Sequence, residues 1–452
     1  MLDVVLPVSM FAVLGILLFT GYPVALVLGG VGLAFGVAGI LTDNFLPIEF
    51  FNIAPRIWSG IAENLILTAV PMFIMMGTAL ERSGLAGDLL RCLTLLLKRL
   101  PGALAFSVVL LGTILAAMTG IIGASVVMIS VMALPMMMTR AYSPALATGT
   151  VAAASTLGIL IPPSIMLVMM SDLMAVSVGN MFLSALFPGL LLSGLYMVYV
   201  VGTAIMRPSL APSVVGEELP ASENLPLMVL RSFVPPVALI ALVLGSIFAG
   251  WASPTEASGV GAAGALLFAW MKGRLNGKAF FEIVDATALT TAMIFFIFMG
   301  ATAFSYVFRS LGGDDVITNL VISTGLGSWG LLFVLMAVVF FLGFFLDWVE
   351  ITLIVLPVFL PIVRLMDFGT HVEGREVIYW FAILIAVNLQ TSFLTPPFGF
   401  ALFYMKGVAP KGITIQHIYR GIIPFVILQL IGLALVIAFP EIALWLPRQL
   451  LN

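Results

Sequence analysis

Two pairs of adjacent prolines interrupt long apolar segments of this 452-residue sequence, and each pair stands beside oxygen-bearing side chains. Pro162 and Pro163 precede Ser164, and the pair at 396–397 follows a polar run. That run contains Asn388, Gln390, Thr391, Ser392 and Thr395. Proline has no N–H and cannot continue a helix, so each pair predicts unwound backbone with free carbonyls. Carbonyl and hydroxyl oxygens are the ligands that hard cations prefer.

Two carboxylates, Asp347 and Glu350, stand between apolar flanks in the second half of the chain. A charge at the centre of a bilayer costs about 3 kcal/mol on insertion scales, so such residues usually have a function. We interpret Asp347 as functional, although a position at a helix end in the membrane interface would also explain it. Glu350 is compatible either with a functional role or with an ion pair to a scaffold arginine.

The composition excludes an ordinary soluble protein. The chain is 62% hydrophobic and 9% charged, with a mean hydropathy of +1.23. Its apolar segments are continuous, which predicts membrane-spanning helices rather than the alternating strands of a barrel. A net charge of −3 gives no support to a nucleic-acid partner, and one cysteine, Cys92, excludes an internal disulfide. No Walker motif, catalytic constellation or metal-spaced His/Cys cluster supports an enzyme.

Windows with few or no charges indicate where the helices lie. The window at 4–42 predicts a pair of helices or one broken helix, and Asp3 before it favours a retained span over a cleaved signal. We expect one span at 57–80 and an interfacial amphipathic helix at 81–99. The window at 101–139 is too long for one crossing and must turn back at 119–125. Residues 209–224 form a soluble linker.

The two halves of the chain resemble one another in order and spacing, with offsets of 223 to 236 residues. The matching segments are 69–77 with 292–300, 161–164 with 395–398, and 186–189 with 422–425. Such duplication is typical of secondary transporters, whose inverted repeats meet near the membrane midplane. We therefore predict an all-α polytopic membrane protein with two re-entrant hairpins and two broken helices. Two proline pairs in equivalent positions favour a binding site over simple kinks.

Helix amino termini at the hairpin tips and after the proline pairs point partial positive charge toward that site, which suits an anion. The hydroxyls of Ser164 and Thr119 could bond an anionic carboxylate. Each is equally compatible with a bond to a carbonyl of its own helix.

At these residues the sequence resembles the large membrane subunit of TRAP transporters, the tripartite ATP-independent periplasmic carriers. It looks like a DctM-like chain of the wider ion transporter superfamily, and the resemblance covers nearly the whole chain. Its most specific pieces are residues 158–164, 183–191 and the hairpin at 345–347. Residues 344–350 and 388–403 look like the branch labelled mannitol/chloroaromatic.

The resemblance implies a bacterial inner-membrane elevator carrier with a fixed scaffold and a mobile transport domain. It also implies sodium coupling, a small four-helix membrane subunit, and a periplasmic binding protein that delivers an organic anion, often a carboxylate. The implied domains are N-terminal scaffold helices with an interfacial arm, a first transport repeat, a central linker with scaffold helices, a second transport repeat and a C-terminal scaffold helix. In that order they span residues 1–100, 101–190, 191–330, 331–410 and 411–452.

The resemblance also implies site residues, most of which would act through backbone carbonyls. Candidates for the first sodium ion are Ser125, Gly158, Ile161 and Pro163. Candidates for the second are Ser392, Thr395 and Pro397, with a hairpin ligand from Asp347 or Thr352. Anion candidates are Thr119, Ser164, Glu350, Asn388 and Thr391. The first hairpin tip, at 120–125, has fewer serines than many relatives have.

Two other functions stay open at this stage. A self-sufficient sodium:anion symporter of the same superfamily would carry the same repeats and would need neither partner protein. A membrane enzyme or channel is the third possibility, and turnover without transport or very large ion currents would indicate it.

Overall fold

The computed structural model describes residues 2–119, 122–212, 225–396 and 399–450, apart from the side chains of residues 2, 3, 117–119, 321 and 322. Every regular element in these ranges is a helix. The first six are α1 Leu2–Leu18, α2 Val24–Leu41, α3 Pro47–Phe51, α4 Ile53–Ile61, α5 Ala69–Arg82 and α6 Leu85–Leu96. Gly21, with φ of +81°, forms the turn between α1 and α2. The window at 4–42 is therefore a pair of helices.

The first hairpin and the first broken helix follow directly. Their helices are α7 Ala103–Thr119, α8 Ile122–Thr139, α9 Pro144–Thr156 and α10 Ile165–Met174, with a 3₁₀ turn at Leu157–Ile159 continuing α9. Helix α11, Val178–Met206, closes this half of the chain. Helix α7 ends at Thr119 and α8 begins at Ile122, so one helix gives way to the next within the window predicted at 119–125, of which residues 120 and 121 lie outside the described part of the chain.

The central helices lie on the other side of the linker. They are α12 Leu225–Ser232, α13 Val234–Phe248, α14 Pro254–Met271, α15 Gly277–Ser310 and α16 Gly313–Ser323. Most of the predicted linker, residues 213–224, lies outside the described part of the chain. Helix α15 begins at Gly277 because Asn276 caps it by accepting a bond from the Ala279 N–H at 2.8 Å.

The second half repeats the arrangement of the first. Hairpin helices α17 Ser328–Leu342 and α18 Trp348–Leu365 precede the broken helix, α19 Glu376–Leu394 and α20 Phe400–Val408. Helix α21, Ile415–Ala438, takes the place of α11, and α22, Glu441–Leu450, ends the described chain. Within the described ranges, nine helical segments are long and apolar enough to cross a membrane. The predicted fold class, with two hairpins and two broken helices, is confirmed.

The two repeats pack against each other reciprocally. Helix α8 of the first hairpin contacts α20, and α18 of the second hairpin contacts α10. Each hairpin thus lies against the second half of the opposite broken helix, which is the exchange of contacts that a twofold relation produces. Both unwound turns are consequently held between the two hairpins.

One predicted span is wrong. Residues 57–80 do not form a single helix, because α4 ends at Ile61 and α5 begins at Ala69. Asn64 interrupts the chain between them: its Oδ1 accepts a bond from the Ile66 N–H at 3.0 Å. Its Nδ2 donates to Asp172 Oδ1 at 2.7 Å. A polar residue with two partners outside the helix ladder favours a break over a continuous helix.

Glycines set the distance between the helices that surround the first broken helix. A Cβ placed on Gly421 of α21 would lie 2.1 Å from the carbonyl oxygen of Ala145 in α9. A Cβ on Gly149 would lie 2.0 Å from the Gly421 carbonyl oxygen. Small residues allow this close backbone approach in membrane helices. The contact between α9 and α21 therefore depends on both glycines.

We expect Gly421→Ala to lower the thermal stability of the detergent-purified protein, because the added methyl group has no room beside Ala145. Overpacking of this kind costs about 1–3 kcal/mol. The matched control is Gly194→Ala in α11, where nothing lies within 4 Å of the added atom. Melting curves of the two variants test the contact, and equal melting temperatures would contradict it.

Candidate functional site

The first unwound turn covers residues 160–164, between the end of the 3₁₀ turn and the start of α10. Pro162 and Pro163 have no N–H to give to the carbonyls of Gly158 and Ile159. The Ser164 hydroxyl replaces one of these donors, because Ser164 Oγ donates to the Ile159 carbonyl at 2.7 Å. Among the described residues, no such replacement is found for the Gly158 carbonyl. An unpaired carbonyl inside a buried segment needs another partner.

The second unwound turn covers residues 395–399, between α19 and α20, although Pro397 and Phe398 lie outside the described residues. Pro396 cannot bond the Ser392 carbonyl, which instead accepts a bond from the Thr395 N–H at 3.1 Å. Gly399 begins α20 with φ of +39°. The two turns stand in equivalent places of their repeats. In each, the first proline lies four residues after the carbonyl whose helical donor it removes.

At the tip of the second hairpin, two carboxylates bond the backbone N–H groups at the start of α18. Asp347 is the N-cap of α18, and its Oδ1 accepts a bond from the Trp348 N–H at 2.7 Å. Glu350 Oε2 accepts a bond from the Asp347 N–H at 3.0 Å. These bonds form a capping box, in which cap and third residue satisfy free N–H groups reciprocally. Both acids therefore have a structural role, and each keeps one carboxylate oxygen beyond it.

Gly343 brings this hairpin tip against the second broken helix. A Cβ on Gly343 would lie 2.4 Å from Ser392 Cβ and 2.7 Å from Ser392 Oγ. The turn that leads to Asp347 therefore starts in contact with one of the predicted ion ligands. Gly343 of the second hairpin therefore lies against Ser392 of α19.

The tip of the first hairpin lies against α20. A Cβ on Gly123 would lie 3.0 Å from the ring of Tyr404. Tyr404 thus lies beside the tip of the first hairpin. Ser125 is buried in the first turn of α8, whereas the side chain of Thr119 lies outside the described residues.

Most hydroxyls of the site donate a hydrogen bond to a backbone carbonyl. Ser392 Oγ donates to the Asn388 carbonyl at 3.2 Å, and Thr395 Oγ1 donates to the Thr391 carbonyl at 2.7 Å. Thr391 and Ser164 donate to backbone carbonyls in the same way. A hydroxyl that has donated its proton keeps its lone pairs and can only accept. These oxygens can face a cation, and they have no proton left for a carboxylate.

Two buried side chains near the second hairpin and the second broken helix have no partner among the described residues. They are Thr352, through Oγ1, and Gln390, through both atoms of its amide. Gln390 is fully buried, and Thr352 is 1% exposed. A buried polar atom without a partner costs about 1–3 kcal/mol, so a bound ion or water is the ordinary explanation.

The sequence matches a known family. Residues 11–442 match the family described as the tripartite ATP-independent periplasmic transporter, DctM component. The chain belongs to this DctM family. It is 31% identical over 423 residues to the C4-dicarboxylate TRAP transporter large permease protein DctM of Pseudomonas aeruginosa, covering 92% of this chain and 94% of that relative. It is 28% identical to the sialic acid TRAP transporter large permease protein SiaM of Vibrio cholerae, covering 98% and 99%.

A solved structure has a similar fold. The crystal structure of the Alcanivorax borkumensis YdaH transporter, described as having an unusual topology, superposes with a TM-score of 0.64. The match covers 88% of this chain and 89% of that one at 14% identity. As a DctM-family protein, the chain is a transport protein rather than an enzyme, and it is a multi-pass protein of the bacterial inner membrane. The family implies a small membrane subunit and a periplasmic binding protein as partners.

The structure places the predicted residues of this DctM-family chain unequally. Ile161 packs against Gly189 of α11, where an added Cβ would lie 2.6 Å from Ile161 Cγ1, so the motif at 186–189 supports the unwound turn. Asn388 donates from Nδ2 to the Met336 carbonyl at 2.7 Å and so joins α19 to the first arm of the hairpin. Pro163 lies in the first unwound turn, and Pro397 lies outside the described residues.

Two residues escaped the sequence analysis as site residues. Gln390 was noted only as part of the polar run, although an amide in an apolar helix is itself a signal of function. Tyr404 has no signal in the sequence, because an aromatic residue after a proline pair is common packing and its contact with Gly123 of the first hairpin depends on the fold.

We expect Gly343→Ala to push the tip of the second hairpin away from Ser392 and to increase deuterium uptake over residues 343–350. Gly343 has φ of −66°, which alanine adopts freely, so the effect is steric. Gly327→Ala, at the other end of the same helix, is the control, since nothing lies within 4 Å of its added atom. Hydrogen-exchange mass spectrometry measures the difference, and identical uptake in the two variants would disprove the contact.

Proposed function

We propose that this chain is the large membrane subunit of a TRAP transporter that takes up an organic anion with sodium. A periplasmic binding protein delivers the anion, and the two hairpins and two broken helices move together as the transport domain of an elevator. The coupling ion is Na⁺, and its candidate sites are the two unwound turns with their hairpin tips. The sites of the two repeats share one chemistry, because the repeats share their proline pairs.

One observation carries the sodium proposal: several hydroxyls of the site are left with acceptor lone pairs only. The hydroxyls of Ser392, Thr395 and Ser164 donate their hydrogen bonds to backbone carbonyls. Thr352 Oγ1 and both atoms of the Gln390 amide are buried without partners, so each of these side chains can turn an oxygen toward a cation. Among the described residues, no group of three His, Cys, Asp or Glu side chains stands close enough to hold a metal. Oxygen atoms are the ligands that a hard cation prefers, and a monovalent cation suits a site with so few carboxylates.

The substrate class follows from the relatives and from the helix ends. Relatives of this chain are named as permeases for C4-dicarboxylate, sialic acid, ectoine and isethionate. These compounds carry a carboxylate or a sulfonate. In this chain α10 and α20 begin at the unwound turns without a side-chain cap, so their free N–H groups are the donors that an oxyanion requires. We assign a carboxylate or sulfonate substrate on that basis.

The elevator proposal has a counterpart in the polar contacts between the proposed domains. Asn64, before α5, donates to Asp172 of α10 at 2.7 Å. Arg309 of α15 donates from Nη2 to the Pro357 carbonyl of α18 at 3.1 Å. We assign α5 and α15 to the scaffold, and α10 and α18 to the mobile part. Both of these bonds would have to break in a rigid-body movement of the mobile part.

We expect Asp347→Asn to abolish the rise in melting temperature that sodium causes when it replaces choline at constant ionic strength. Asparagine is as good an N-cap as aspartate, so α18 keeps its first turn while the negative charge is lost. The control is Asp367→Asn, an exposed residue whose Oδ1 accepts a bond from the Gly369 N–H outside the hairpin tip. A sodium response that survives Asp347→Asn would refute the proposed ligand.

Thr352→Val gives a sharper result, because it moves two quantities in opposite directions. Removal of an unpartnered buried hydroxyl should stabilise the sodium-free protein or leave it unchanged. The same change should raise the sodium concentration at half-maximal stabilisation by about tenfold, as loss of ~1.4 kcal/mol does. Thr150→Val is the control, because Thr150 Oγ1 donates to the Leu146 carbonyl away from the hairpins. A Thr352→Val protein destabilised without sodium would contradict this role.

Dependence on partners distinguishes the proposal from a self-sufficient symporter. We expect proteoliposomes with this chain alone to accumulate no organic acid. Uptake should appear when the small membrane subunit and the binding protein are added with an inward sodium gradient. The cognate acid is found first, by thermal-shift screening of the binding protein against carboxylates and sulfonates. Sodium-driven uptake by the chain alone would favour the symporter.

A further inference from the structure

A crevice of about 460 Å³ opens between α15, α4, α10 and α18, away from the hairpin tips. Two arginines line it, Arg56 from α4 and Arg309 from α15. Leu353 and Pro357 of α18 form the opposite wall. They lie about 9 and 15 Å along the helix from Asp347, at 1.5 Å per residue. Neither Asp347 nor Glu350 lines the crevice. It is therefore separate from the proposed sodium sites.

A carbonyl of α18 that lacks its helical donor holds Arg309 in place. The Pro357 carbonyl would accept its helical bond from residue 361, but Pro361 has no N–H. Arg309 Nη2 supplies the missing donor at 3.1 Å. Its Nε lies 3.7 Å from Asp314 Oδ2, and its side chain remains 48% exposed. A guanidinium has five N–H donors, so Arg309 keeps donors for a ligand.

Arg56 brings a second positive charge to the same space. Its guanidinium carbon lies 5.7 Å from the centroid of the Tyr306 ring, within the range of a cation–π contact. Among the described residues, Arg56 forms no ion pair with a carboxylate. With Asp314 balancing one arginine, the crevice keeps a net positive charge.

The hydroxyls of the crevice differ from those of the proposed sodium sites. Thr302, Ser305 and Ser310 line it from α15. Within the described ranges, none of the three donates to a backbone carbonyl. Thr287 of the same helix does so, to Ile283 at 2.8 Å. The hairpin site therefore offers acceptors, whereas this crevice offers hydroxyl protons and guanidinium N–H groups.

We propose that this crevice is a second binding site, for an oxyanion: a carboxylate, a sulfonate or a phosphate. Its volume lies within the roughly 300–1,000 Å³ of ligand pockets. Two arginines are the residues that bind such groups through paired N–H bonds. An anion bound here contacts α15 on one side and α18 on the other. Its source is either a soluble organic acid or the headgroup of an anionic lipid.

Protection of the arginines from phenylglyoxal tests the proposal. The full chain in detergent is treated in choline chloride, choline sulfate or choline succinate at equal ionic strength, and peptide mass spectrometry follows each arginine. Sulfate or succinate should slow modification of Arg56 and Arg309 by about tenfold, as ~90% occupancy requires. Arg207 and Arg274, exposed residues outside the crevice, should react at an unchanged rate. Because sodium is absent, failure of the sodium proposal leaves this result intact.

Variants and lipids complete the test. Arg56→Gln and Arg309→Gln should each raise the sulfate concentration at half-protection of the remaining arginine by about tenfold. Arg207→Gln is the matched control and should change nothing. In nanodiscs, protection by phosphatidylglycerol without soluble anion identifies a lipid headgroup as the source, and protection by succinate in phosphatidylcholine identifies an organic acid. The proposal is overturned if no oxyanion protects Arg56 and Arg309, or if Arg207 is protected equally.

Discussion

Backbone carbonyls without N–H donors, inside an apolar protein, are the constraint on which the rest of this structure depends. The proline pairs remove the helical N–H donors that the carbonyls of Gly158 and Ile159 would have in one repeat, and those of Ser392 and Phe393 in the other. Such groups cannot face lipid. The chain therefore has to surround both unwound turns with protein, and the reciprocal packing of hairpins and broken helices does so. The two unwound turns therefore form a region that is polar, buried and related by the repeat.

Close helix packing follows from that constraint. Gly149 and Gly421 let α9 and α21 touch at the backbone, Gly189 lets α11 approach Ile161, and Gly343 lets the second hairpin reach Ser392. Without these contacts the turns would open to lipid or water. The carboxylates at the hairpin tip act in the same sense, because the capping box of Asp347 and Glu350 satisfies N–H groups that the membrane would leave unpaired. The structural and functional roles of Asp347 are thus compatible.

Acceptors and donors are sorted into separate places in this protein. Around the hairpins, hydroxyl protons are bound to carbonyls, which leaves oxygen lone pairs facing the site. In the crevice of α15, guanidinium and hydroxyl protons remain available. A protein that handles a cation and an anion together gains from this separation, since each ligand meets groups of the opposite polarity. The amino termini of α10 and α20 add donors at the unwound turns, where an anion would approach the cation.

The sequence by itself determined the class of protein, the duplication, the two broken helices and the hairpin turns. Proline, charge and apolar length act locally, and a membrane leaves a chain few alternatives. It missed the break at Asn64, whose second partner, Asp172, lies far away in the chain.

Only the tertiary structure decided which hydroxyls remain without a partner, that Asn388 binds the Met336 carbonyl, and that Tyr404 lies against Gly123 of the first hairpin. It also brought Arg56 and Arg309 to one crevice. These are contacts between distant segments, and they depend on how glycines and prolines let the helices approach. A linear pattern records which groups are present, whereas the packing decides which of them remain unpaired.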